Sequence, residues 1–525
     1  MPDDGPPLEC REHSNLAVQP FHAPQALRRM SSNRPLLPSE SATWRRLAAL
    51  ACDSAARMTR GDGTWPGSQR PLSACGIEID DSRRVLTAEA LDLLLALADE
   101  RQLGERRDAM LAGEVVNRSE SRAALHPLLR DFGGSACRQA PEAARQSVQQ
   151  TRARMRAMAE QLHAGTLRGS TGARFTDIVN IGIGGSEFGA RLLCDALQDL
   201  APTNLHVHFV SNLDALQVTR LLGKLKAEST LFVVSSKSFS TVETLLNART
   251  LRRWFDGFGL RVEDHWFAVT ANATAAESIG IPAANVFDVP QWVGGRFSAW
   301  GAVGLPAALY LGWPVFEQWL RGGAAADEHF STAPARENLP MRLALDNVWH
   351  STFLGCQTHC IAAYDDRLAA FITWAQQLEM ESNGKSVSEN GLALDYDTAP
   401  VVWGGLGNNG QHTYFQLLRE GTMPKAVTLI GCRTASSGYA DHADELNAHL
   451  SAQADALSRP GSTRGFNSVG MLMLDDLDPF HLGALMATFE HATACSGWLW
   501  GINSFDQPGV ELGKKLAAQL QRKAG

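Results

Sequence analysis

The sequence predicts two doubly wound α/β domains with parallel-rich sheets, preceded by a helical portion and closed by a C-terminal helix. Three observations predict it. Short apolar, β-branched runs alternate with helix-like segments from about residue 178 to 290, which is the pattern of a parallel sheet covered on both faces. The same alternation resumes after Asp327. Ahead of both, from Ser41 to about Arg130, the apolar spacing is helical. This divides the chain into a poorly ordered extension (1–40), a helical region (41–125), a first α/β domain (126–290), a connecting region (291–335), a second α/β domain (336–500) and a C-terminal segment (501–525).

Residues 1 to about 40 are rich in Pro, Ser and Arg and lack sustained periodicity. Ala88–Asp99 (AEALDLLLALAD) carries apolar residues at helix spacing, with Thr87 as its N-cap. Pro141 opens a second helix that runs to about Leu162. Strands are expected at Ile178–Ile183, Val207–Val210, Leu231–Val234 and Phe267–Thr270, with helices over Glu187–Leu197, Ser211–Leu225 and Val242–Phe255. After the apolar stretch Ala302–Leu311, further strands are expected at His359–Ala363, Val401–Trp403, Val427–Ile430 and Met471–Leu474. A last helix starts at about Gly509, and close packing at Gly509 and Gly513 would explain two glycines in one helical turn.

The chain has 525 residues, 44% hydrophobic and 20% charged, with a net charge of −8. That composition argues against disorder and gives no basic surface for nucleic acid or an anionic membrane. No apolar run approaches the roughly 20 residues of a membrane span, and MPDDGPPLEC has none of the apolar core of a secretory signal. The nine scattered Cys form no disulfide or zinc framework, which fits reduced thiols in a cytoplasmic protein.

Several segments carry chemistry. Asn180–Gly189 (NIGIGGSEFG) lies where a strand hands over to a helix, where backbone N–H groups hold anions. A dinucleotide fingerprint fails, because Glu187 stands five residues after Gly182 and Ser186 stands two after Gly184. Ser235–Thr244 (SSKSFSTVET) brings four hydroxyls and Lys237 to a helix entry; capping needs one hydroxyl, whereas a phosphomonoester uses several. Gly384-Lys385-Ser386 is no Walker A motif, since Glu379 stands where its first glycine belongs. Glu381 ends an amphipathic helix bearing Gln377, and a carboxylate there is either solvated or a base reaching into a cleft. His412 opens a helix at the carboxyl edge of a strand, either as a ligand-facing imidazole or as a first-turn hydrogen-bonding group. Arg296 follows a Gly-Gly turn and is either a surface cation or a guanidinium for an oxyanion.

Together these segments resemble the phosphoglucose isomerase family. The resemblance runs from about Met110 to Lys514 and rests on MLAGEVVNRSESRAALHPLLR (110–130), NIGIGGSEFG (180–189), SSKSFSTVET (235–244), WVGGRFSAW (292–300), MESNGK (380–385), NNGQHTYFQL (408–417) and NSFDQPGVELGK (503–514). It implies two sugar-isomerase (SIS) domains, no cofactor or metal, a hexose 6-phosphate substrate and a homodimer with shared active sites. By the same resemblance Glu381 matches the base that moves a proton between C2 and C1 through a cis-enediol, and Arg296 the guanidinium facing the enediolate. His412 and Lys514 match the ring-opening pair, and Glu243 a carboxylate supporting the histidine. Ser186, Ser236, Lys237, Ser238 and Thr241 match phosphate-holding positions, and Gly185, Gln377 and Gln507 match substrate contacts. The reaction implied is interconversion of glucose 6-phosphate and fructose 6-phosphate. Gln291, Ser238, Asn408 and Pro508 depart from residues usual in the family at those positions.

Overall fold

A computed structural model describes residues 36–59, 71–134, 136–434, 438–459 and 465–524. The poorly ordered extension expected over 1–40 falls outside these residues up to 35. Its last residues, Pro38–Glu40, form a 3-10 turn, with Pro38 buried and the Ser39 hydroxyl donating to Asp395 at 2.7 Å.

The region expected to be helical does hold helices Ala42–Thr59, Ala88–Glu100 and Leu103–Ala112. The Thr87 side chain caps the second by accepting from the Ala90 N–H. It also holds a hairpin that the sequence reading missed, β1 (Leu72–Ala74) and β2 (Ile77–Asp80). Cys75 and Gly76 turn it with φ of 54° and 72°, the left-handed pair that a two-residue hairpin requires.

The first sheet is wholly parallel. It comprises β3 (Asp177–Ile181), β4 (His206–Val210), β5 (Thr230–Ser235), β6 (Trp266–Thr270) and β7 (Val286–Asp288) in the order β4-β3-β5-β6-β7. Every residue of β5 and β6 is buried, which is why they read as unbroken apolar runs. The strand order reverses between β3 and β5, so the crevice beyond their carboxyl ends is where a doubly wound sheet takes a ligand.

The second sheet contains β8 (Thr358–Ala363), β9 (Val401–Leu406), β10 (Lys425–Cys432) and β11 (Asn467–Leu474), parallel to one another. The hairpin joins it antiparallel through β2 on β11, giving β1-β2-β11-β10-β8-β9. The helix Pro479–Trp500, buried almost throughout, packs against Trp313–Thr332 and Leu339–Val348. Gly322 and Gly483 allow the first contact; a Cβ on either would strike the backbone of the other helix. Arg130 is buried there, paired with Asp327 at 2.8 Å and Glu490 at 2.5 Å.

The C-terminal helix runs Glu511–Ala524 after a 3-10 turn at Pro508–Val510. The close packing expected at Gly509 and Gly513 does not occur within the chain, since a Cβ at either meets nothing within 4 Å. No helix among the described residues is long and apolar enough to cross a membrane.

Candidate active site

Six segments converge on a cleft of about 850 Å³ at the β3/β5 reversal. After β3 the chain makes a 3-10 turn at Gly184–Ser186 with Gly184 at φ 61°. The Asn180 amide, on β3 itself, donates to the Ser186 carbonyl at 3.1 Å and accepts from Ser235 at 2.8 Å, tying this turn to the end of β5. Gly185 packs so tightly on the 3-10 turn Gly295–Phe297 that a Cβ would collide with the backbone of Gly295 and Arg296.

After β5 come Ser236, Lys237, Ser238, Ser240 and Thr241, at the entry to helix Val242–Asp256. Thr241 occupies the N-cap position but its side chain makes no capping bond; it meets Ser236 at 3.2 Å. Ser238 and Ser240 meet at 2.7 Å. The hydroxyls therefore face the cleft beside helix N–H groups, an arrangement that suits an anion. The Lys237 ammonium donates to the carbonyls of Gln291 (2.8 Å) and Val293 (2.7 Å), and burial pushes it down to about 8.

Arg296 is held rigidly. Its Nε donates to Ser382 at 2.6 Å, one terminal nitrogen to the Gln507 side chain at 3.0 Å, and the other to the carbonyls of Ser504 (2.6 Å) and Asp506 (3.1 Å). Burial lowers its pKa, and the charges of Glu381 and Asp506 oppose that shift. The Glu381 carboxylate stands 3.8 Å from this guanidinium.

The helix Ala369–Gln376 widens into a π turn over Gln377–Glu381. Such single turns concentrate at functional sites, because the extra residue rotates the side chains that follow it. Here it separates two acids of one segment. Glu379 turns inward, accepting from Asn347 (3.0 Å), Thr493 (3.0 Å) and Asn383 (3.2 Å), with burial raising its pKa. Glu381 and Gln377 instead line the cleft.

Gly185, Ser186, Ser236, Lys237, Ser238, Thr241, Glu243, Arg296, Gln377, Glu381, Gln507 and Lys514 thus share one cavity. His412 does not. It lies exposed just beyond helix Gly407–Gln411, after β9, and is absent from the cleft lining. The sequence reading picked no residue from 110–130, yet Asn117, Glu120, Arg122 and His126 line the cleft. His126 is buried and stacked on Phe297 at 4.5 Å, with burial driving its pKa well down. The only signal for it was the resemblance of its segment. Among the described residues no His/Cys/Asp/Glu group is arranged to hold a metal.

Comparison with known proteins agrees over most of the chain. A model of the family described as phosphoglucose isomerase matches residues 80–471 and 460–524. Glucose-6-phosphate isomerase 2 of Cupriavidus pinatubonensis is 43% identical over 473 residues, covering 86% of this chain and 87% of that one. The glucose-6-phosphate isomerase of Shewanella baltica is 40% identical over 519 residues, covering 93% and 95%. The crystal structure of a glucose-6-phosphate isomerase from Chlamydia trachomatis matches with a TM-score of 0.81 at 31% identity, covering 93% of this chain and 96% of that one.

Proposed function

The chain belongs to the phosphoglucose isomerase family, and from that premise we propose that Glu381 is the base with which it interconverts glucose 6-phosphate and fructose 6-phosphate. The observation that carries this reading is the pairing of the cleft-facing Glu381 with an Arg296 fixed by four hydrogen bonds, 3.8 Å away. Taking a proton from a carbon next to a carbonyl calls for a carboxylate base and a fixed positive charge where the oxyanion develops. Arg296 needs no reorganisation to supply that charge, because its partners hold it before substrate arrives.

In this reading Ser186, Ser236, Lys237, Ser238 and Thr241 hold the substrate's phosphate. Gln377 and Gln507 contact the sugar, and Gly185 keeps the backbone close to it. Glu381 removes the C2 proton and returns it to C1 through the cis-enediol, while Arg296 stabilises the enediolate. Lys514 and His412 open the sugar ring, with Glu243 supporting the imidazole. The exposure of His412 outside its own chain's cleft supports placing it in the site of a second subunit, so that the active form is a homodimer.

The test is formation of glucose 6-phosphate from fructose 6-phosphate, read through an NADP-dependent dehydrogenase, for the wild type and Glu381→Gln. The variant should lose at least about 10²-fold in kcat, the low end of what a general base contributes. Its affinity for sorbitol 6-phosphate, which has no carbonyl to react, should stay near wild type. Wild-type turnover in Glu381→Gln removes Glu381 from the base role.

A further inference from the structure

The helix that carries Glu381 ends at Asn383, and its last carbonyls have no partner within the helix. Past Gly384 the chain turns, and the Lys385 side chain folds back beneath that end. Its ammonium donates to the carbonyls of Glu381 (3.1 Å) and Ser382 (2.6 Å) on the helix and of Asp506 (3.1 Å) on the segment before Gln507. An ammonium has three N–H donors, and all three are engaged. The Asp506 carboxylate lies a further 3.5 Å away.

Two of these acceptor residues also hold Arg296. The Ser382 hydroxyl takes its Nε–H and the Asp506 carbonyl takes one of its terminal N–H groups. Lys385 and Arg296 therefore grip the same two residues from different sides. The Ser504 hydroxyl adds a third tie, donating to Asn383 at 2.6 Å. Lys385 itself does not line the cleft, and only 11% of its side chain is exposed. A simple helix-end cap would have little use for the Asp506 carbonyl. A buried ammonium is also costly to keep, since burial pushes this one down to about 8.

We propose that Lys385 is a positioning residue for the isomerisation, clamping the helix end that presents Glu381 to the 504–507 segment that holds Arg296 and Gln507. The inference rests on the reading of Glu381 as the base. Without the clamp the carboxylate and guanidinium drift relative to one another, while the hydroxyl-rich phosphate loop after β5, to which the Lys385 ammonium makes no hydrogen bond, is untouched.

The experiment measures kcat and the inhibition constant of sorbitol 6-phosphate in Lys385→Met, Lys385→Arg and Glu381→Gln. A misplacement of about 1 Å costs on the order of 10²-fold in rate, so Lys385→Met should lose about that much kcat. Its inhibition constant should worsen far less than kcat, since the phosphate contacts are intact and only the Gln507 contact to the sugar is loosened. Lys385→Arg, which restores charge and donors, should recover part of the rate. A Lys385→Met kcat within about threefold of wild type overturns the inference, and so does an inhibition constant that worsens in step with kcat. If Lys385→Met does not fold, Lys385→Gln is judged by the same two quantities. Turnover surviving in Glu381→Gln overturns the base reading instead, whereas its loss beside an unimpaired Lys385→Met overturns this inference alone.

Discussion

Lys237 sits in the cleft with its ammonium on two backbone carbonyls, already desolvated before any anion arrives. A phosphomonoester is a dianion above its second pKa of about 6, so the loop lysine Lys237, pushed down to about 8, sets how binding changes between pH 7 and 9.5; Lys385 is also near 8 but lies outside the cleft. Only the protonated lysine attracts the phosphate. Affinity for sorbitol 6-phosphate, measured by calorimetry, should therefore be level up to about pH 7.5 and fall as pH rises past 8. Lys237→Met should flatten that slope and weaken binding at pH 7 by about 10- to 100-fold, the worth of one charge-assisted hydrogen bond. At this scale the sequence was informative wherever chemistry concentrates in a short run. Four hydroxyls and a lysine within six residues, or a Gly-Gly-Arg turn, are visible without coordinates. The roles of Ser382, Lys385, Ser504 and Asp506 were not. Their contacts with Arg296 and with one another join positions 296, 382, 385, 504 and 506, and nothing in the local pattern records such pairings.

The elements that present these side chains differ in how plainly the sequence announced them. Strands β5 and β10 are buried on both faces and stood out as continuous apolar runs. Strands β1 and β2 have three and four residues and include Ser73, Glu78 and Asp80, so no periodicity marked them. Strand β7, three residues long, was missed for the same reason. The π turn at Gln377–Glu381 was equally hidden, because one extra residue in a helix barely alters its apolar spacing. That turn meets the 3-10 turn carrying Arg296, and the latter rests on the turn carrying Gly185. Gly185→Ala forces those last two turns apart, because the obstacle is backbone on both sides. The variant should stay folded by circular dichroism, lose about 1–3 kcal/mol in urea unfolding as overpacking does, and fall by about 10²-fold in kcat/KM.

Across the whole molecule, the cleft gathers residues from Asn117 to Lys514, and the sheet order explains why they meet: the β3/β5 reversal opens a crevice that the later segments cover. His412 is left on the outside. If it completes a partner's site, Glu381→Gln and His412→Asn are inactive alone but complement when mixed. A mixed dimer pairs both substitutions in one site and leaves the other whole. Unfolding and refolding an equal mixture should restore about a quarter of wild-type activity, half of the dimers being mixed with half their sites intact; sites confined to one chain would restore none. The hairpin β1–β2 has a consequence of another kind. Its place in the second sheet is beside β11, and Arg84 just after it donates to the Ser468 carbonyl, 384 positions along the chain. On a ribosome making about 5–20 residues per second, the hairpin waits on the order of 20–80 s for its neighbour to be made. Through that interval its edge is open to other chains, so of the two sheets the second is the later to close and the one an interrupted synthesis leaves exposed.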